Sequence, residues 1–84
     1  MKRYLLLTTR TAQFNPEDLP GHYEHLESLK QRGQLELSGP FSDKTGGAYL
    51  IQATSWEEAV AIGNADPLIK GGSSTVVVKE WLTK

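Results

Sequence analysis

His22 and His25 are the two histidines of the sequence and the only side chains whose ordinary pKa lies near neutrality, so proton-transfer chemistry at physiological pH would start with them. An imidazole poised there can both take a proton and return it. The pair stands three residues apart in the stretch His-Tyr-Glu-His-Leu-Glu-Ser-Leu-Lys, on neighbouring positions of a helix surface, and together would offer two nitrogens to a divalent ion. Two nitrogens do not make a site. A third ligand such as Asp66 would be needed, and His-x-x-His without further ligand spacing points only weakly to metal, so none is predicted. The chain has no cysteine to serve as nucleophile. It also lacks a serine-histidine-acid set, a phosphate loop and a dinucleotide fingerprint, and no cofactor is implied.

The elements that must position these histidines follow from hydrophobic periodicity. Tyr4 to Thr9 is a leucine-rich run of strand length, with Tyr4, Leu6 and Thr8 on one face and Leu5 and Leu7 on the other. Arg10 to Gly21 carries loop signals: Asn15-Pro16 starts a turn, with Glu17 and Asp18 at its positive end, and Pro20-Gly21 interrupts it. The main helix is then predicted from His22 to Arg32, ended by Gly33 in the left-handed conformation. Leu26 and Leu29 line its inner face, and His22 and His25 extend that face. Gln34 to Phe41 alternates, with Leu35 and Leu37 on one side, and a turn over residues 42–47 leads to a strand at Ala48 to Ala53. Ser55 and Glu58 form a capping box for a second helix that runs to Asn64 and buries Trp56, Ala59, Val60 and Ile62. Asp66-Pro67 stops it, Lys70 to Ser74 is a loop, and Thr75 to Leu82 is the last strand.

Strand, helix, strand, strand, helix, strand is the order of an α+β, ferredoxin-like fold: one antiparallel sheet with two helices on one face. The 84 residues allow a single domain over 1–84 and no second core. The first strand and Val76-Val77-Val78 are apolar on both faces, which predicts a homodimer formed through the face away from the helices. Nine Lys+Arg against ten Asp+Glu, with no basic run, argue against nucleic acid as a partner. The opening Met-Lys-Arg-Tyr-Leu-Leu-Leu imitates a signal peptide but breaks at Thr8-Thr9-Arg10, and no stretch reaches the length of a membrane span. With cysteine absent, a soluble, unprocessed cytoplasmic protein is expected.

Several pieces of the sequence, taken together, carry a family signature. They are His25-Leu26 with Leu29-Lys30, Gly33, Leu35, Ser38-Gly39-Pro40-Phe41, Ser55 with Glu57-Glu58-Ala59, Asp66-Pro67 with Gly71 or Gly72, and Val78 to Trp81. In this order and spacing the chain resembles the YciI-like, or DGPF domain, family. The resemblance implies a ferredoxin-like fold, a dimer of the α+β barrel type and a site centred on a histidine and an aspartate, which map by motif to His25 and Asp66. The chain departs from the pattern at the end of the first strand, where several members carry an acid and this one has Thr9-Arg10. There Asp66, or an anionic ligand bound by Arg10, would take the acid's place. A dehydrochlorinase acting on chlorinated aromatic ring compounds belongs to the family, which hints at proton transfer.

On this reading His25 is the general acid/base and Asp66 orients it by holding one ring nitrogen. Each has a plainer alternative. His25 would be a packed histidine at the edge of an apolar stripe, and Asp66 a turn residue bonded to local backbone. Arg10 is the anion anchor; Ser38, Gly39 and Pro40 line the substrate cleft or simply end a strand. His22 is expected near solvent at the helix start, and Trp56 and Trp81 are expected as core or dimer contacts. The function that follows is a cofactor-independent lyase or isomerase acting on a small polar or aromatic compound. Its rival is a non-catalytic dimeric module that binds a small ligand or a protein.

Overall fold

The computed structural model describes Met1–Lys84 and is built on one four-stranded sheet in the order β2-β3-β1-β4. The strands are β1 (Lys2–Arg10), β2 (Leu35–Pro40), β3 (Gly46–Ala53) and β4 (Ser74–Glu80), and every neighbouring pair is antiparallel. The helices are α1 (Leu19–Gln31), α2 (Trp56–Asn64) and a single turn, α3 (Pro67–Lys70); a 3-10 turn at Pro16–Asp18 precedes α1. This is the expected ferredoxin-like arrangement, with the addition of α3 where a plain stop was expected.

β1 sits in the middle of the sheet and alternates as its sequence requires. Tyr4, Leu6 and Thr8 are buried beneath the helices, while Leu5 and Leu7 point to the opposite face. Tyr49, Ile51 and Ala53 of β3 join Tyr4 and Leu6 in the core, and Leu29 of α1 with Ala59 and Ile62 of α2 close it from above. α2 comes close at Gly63, where an added Cβ would lie 3.2 Å from Leu6 Cδ2. Gly33, at φ 74, ends the first helix in the left-handed conformation, as its position predicted.

Four local expectations are corrected. Leu35 and Leu37 do not share a face, because the β2–β3 register shifts between them: Leu35 opposes Ile51 and Leu37 opposes Leu50. The extra residue of this bulge reverses the alternation, so Leu35 packs on the core, Leu37 is exposed on the open face, and Ser38 turns toward the helix side opposite Tyr49. Trp56 is not core. It opens α2 at the end of the sheet and stays 48% exposed, its ring 6.4 Å from that of Tyr4. Half of the capping box forms: Ser55 Oγ accepts from the Glu58 amide at 3.1 Å, but the Glu58 carboxylate accepts from Thr54 and Gln34 instead of reaching back. The last strand also ends at Glu80, leaving Trp81 and Leu82 exposed beyond it. No helix is long and apolar enough to cross a membrane.

Candidate functional site

α1 begins three residues earlier than its sequence suggested, with Pro20 inside its first turn. Proline is pre-organised for that position, since the first-turn amides have no helical acceptor anyway. The earlier start puts His22 within the helix. At about 100° per residue it then lies about 40° from Leu26 and about 20° from Leu29, in the middle of the inward stripe, while His25 lies about 60° to the side. Gly21 lets this end of α1 approach α3 closely: a Cβ there would meet Pro67 Cγ at 3.0 Å and Cβ at 3.1 Å.

His22 is consequently the histidine that meets Asp66. Its Nδ1 lies 2.8 Å from Asp66 Oδ2, and the expected pairing of His25 with Asp66 does not occur. His25 faces α2 and its Nε2–H donates to the carbonyl of Ile62 at 3.0 Å. That carbonyl belongs to the last turn of α2, where helical acceptors lack an amide partner, because the Asp66 amide bonds to Gly63. The plainer alternative for His25 thus has a definite form: it is a clip between the two helices.

Asp66 is fully buried. Its Oδ2 also accepts from the Tyr49 hydroxyl at 3.1 Å, and its Oδ1 accepts from the Leu68 amide at 2.9 Å, capping α3. Burial by itself would push this carboxyl up. The hydrogen bond from His22, the Leu68 amide, the charge of His22 and the Tyr49 hydroxyl together outweigh burial and hold it below the usual carboxylate value. Tyr49 is pushed far up, first by burial and then by the adjacent carboxylate, so it keeps its proton and remains a donor. An ionised carboxylate can only accept, so the His22 proton resides on Nδ1 in the neutral ring, and Nε2 carries the lone pair. With its side chain 14% exposed, His22 reaches a cavity of about 250 Å³, which Nε2, bonded to no protein group, is free to serve.

The cavity lies between the first half of α1, the end of β1 and the β2–β3 hairpin. Arg10, Ser38, Gly39 and Pro40, the four residues assigned to substrate by sequence, all stand on its wall. Ser38 is there because of the bulge. Thr8 also reaches the wall, but its hydroxyl is committed, donating to the Gly47 carbonyl and accepting from the Gly47 amide. Tyr49 and Phe14 were missed. For Tyr49 a signal existed: it alternates with Ile51 onto the buried face of a strand, and a buried tyrosine needs a partner for its hydroxyl. No three histidine, cysteine or acidic side chains come together in a metal-holding group, and His22 and His25 turn to different partners.

The four-stranded antiparallel sheet with helices on one face makes this an α+β, ferredoxin-like protein, with a histidine–aspartate contact beside a small cavity. The chain belongs to the YCII-related domain family, whose model matches residues 2–82. It is 55% identical to the uncharacterized protein YjpA of Bacillus subtilis (strain 168) over 84 residues, covering 100% of this chain and 99% of that one. Among solved structures it is similar to the 5-chloro-2-hydroxyhydroquinone dehydrochlorinase TftG of Burkholderia phenoliruptrix AC1100, in complex with 2,5-dihydroxybenzoquinone. The TM-score is 0.83 at 22% identity, with 98% of this chain and 95% of that one covered.

Proposed function

We propose that the protein is a cofactor-independent enzyme that moves a proton on a small polar or aromatic compound, with His22 as the acid/base. The observation that carries this is the 2.8 Å contact from His22 Nδ1 to the buried Asp66 carboxylate, which leaves Nε2 as the basic nitrogen of a ring that lines the cavity. Asp66 has no exposed surface and acts through the ring: it is a positioning residue, as is Tyr49 behind it. Nε2 removes a proton from a carbon or hydroxyl of the substrate. Returning it elsewhere on the same molecule completes an isomerisation, and loss of a leaving group with its bonding electrons completes an elimination. The structurally similar dehydrochlorinase, bound to a dihydroxybenzoquinone, supports a ring-sized substrate. The test is exchange of the ring C–H of 2,5-dihydroxybenzoquinone in deuterium oxide. The native protein should accelerate it and His22→Gln should not; equal rates would leave a binding module.

The open face of the sheet supports a homodimer. Leu37 and Val77 are exposed on it, and Trp81 stands with Leu5, Leu37 and Leu50 around a groove there, an apolar patch of the kind that marks an interaction surface. Sedimentation at micromolar concentration should give twice the chain mass, and Val77→Lys should shift it toward monomer.

A further inference from the structure

We propose that the cavity beside His22 takes a small, flat monocarboxylate, gripped at its carboxylate by Arg10. The proposal rests on the acid/base reading and adds the class of substrate. Arg10 ends β1 on the cavity wall, and its guanidinium forms no ion pair and no hydrogen bond with any protein group. Its charge is nevertheless held in place, because the guanidinium carbon lies 4.1 Å from the centre of the Phe14 ring. A guanidinium held over an aromatic ring keeps its paired N–H donors available, and those of Arg10, bonded to no protein group, are free to meet a carboxylate bidentately.

Phe14 is itself fixed. Its amide bonds to the Thr11 carbonyl at 3.1 Å, and Thr11 is tied at both its amide and its hydroxyl to the Gly72–Ser73 backbone. The Asn15 amide donates to Ser73 Oγ at 2.9 Å, and the fully buried Ser73 hydroxyl donates to Asp18 at 2.5 Å. The loop that bears the stacking ring is therefore anchored on both sides of Phe14, and the anchor of the anion is built before any ligand arrives.

The charge balance of the cavity selects the ligand. Arg10 is the one permanent cation on its wall, and no carboxylate lines it: Asp66 is buried behind His22, and Asp18 is taken up by the Ser73 hydroxyl. A single negative charge is matched by that cation, whereas a phosphate dianion would be left half neutralised. A cavity of about 150 Å³ suffices for benzene; at about 250 Å³ this one has room for a six-membered ring with a carboxylate and a further substituent.

The experiment compares benzoate with benzamide, its neutral counterpart of the same shape, by NMR titration of the protein. Benzoate should bind at least about tenfold more tightly, and Arg10→Gln should remove that preference while leaving benzamide unchanged. His22→Gln, which disables proton transfer, should keep the preference, so the two readings fail separately: lost exchange with the preference intact removes the acid/base role alone. Benzoate binding no tighter than benzamide, a preference that survives Arg10→Gln, or inorganic phosphate displacing benzoate at equal concentration would overturn the carboxylate assignment.

Discussion

His22 and His25 lie three residues apart on one helix, and their surroundings give them opposite work. His22 is joined through Nδ1 to a buried carboxylate and reaches a cavity; His25 is joined through Nε2 to a backbone carbonyl and holds α1 to α2. What separates them is a rotation of about 60° around the helix axis, which their three-residue spacing imposes once both lie within the helix. Residue type therefore draws attention to both rings, and the phase of the helix against its neighbours decides that His22, not the expected His25, meets the carboxylate. Asp66 shows the same lesson in reverse. It was expected either as a turn residue or as the carboxylate beside His25; its Oδ1 caps the turn at the Leu68 amide, and its Oδ2 meets the imidazole of His22 instead.

The largest effect that should separate the histidines is catalytic. His22→Gln is expected to lower the deuterium exchange rate by about 10²-fold or more, the range for loss of a positioned acid/base, while His25→Leu leaves it near native. Asp66→Asn should also lower the rate, because the amide no longer dictates which ring nitrogen carries the proton. That variant has a second readout. Asp66 is held below its ordinary 3.8, so its contribution to stability is complete above that value and disappears as pH falls through the lower folded value. Denaturation followed between pH 5 and pH 2 should show a steeper loss for the native protein than for Asp66→Asn.

Smaller effects should fall on stability. His25→Leu leaves the Ile62 carbonyl without its donor and is expected to cost about 1–3 kcal/mol in urea denaturation. Tyr49→Phe removes one of three bonds to Asp66 and should cost about 0.5–1.5 kcal/mol. Because Tyr49 is raised above its ordinary 10.0, its contribution is present below pH 10 and is lost as pH climbs beyond, so the native protein should lose stability in alkali faster than Tyr49→Phe.

Most of the fold was legible because its elements repeat with clear periods: the alternation of Tyr4, Leu6 and Thr8, the Ser55 cap and the Gly33 stop each stand where their chemistry placed them. Two features were not. Leu-Glu-Leu in β2 carries no mark of a bulge, since the register shift is settled by how β2 meets β3 and not by local preference. Pro20 was read as an interruption although proline equally opens a helix, and that choice moved the helix start and with it the histidine. Arg10, Ser38, Gly39 and Pro40, singled out by the family resemblance and the cleft expected between the hairpin and the first helix, stand on the cavity wall. Tyr49 could have been added from the buried phase of its strand.

The tautomers of the two rings test the account most directly, through nitrogen-15 NMR of the imidazoles under conditions where both are neutral. The account requires opposite forms on one helix: the proton of His22 on Nδ1, held by Asp66, and that of His25 on Nε2, held by the Ile62 carbonyl. Asp66→Asn should disturb the first and leave the second as it was. His22 protonated on Nε2 in the native protein, or unaffected by the change at Asp66, would contradict the pair on which the proposed chemistry depends.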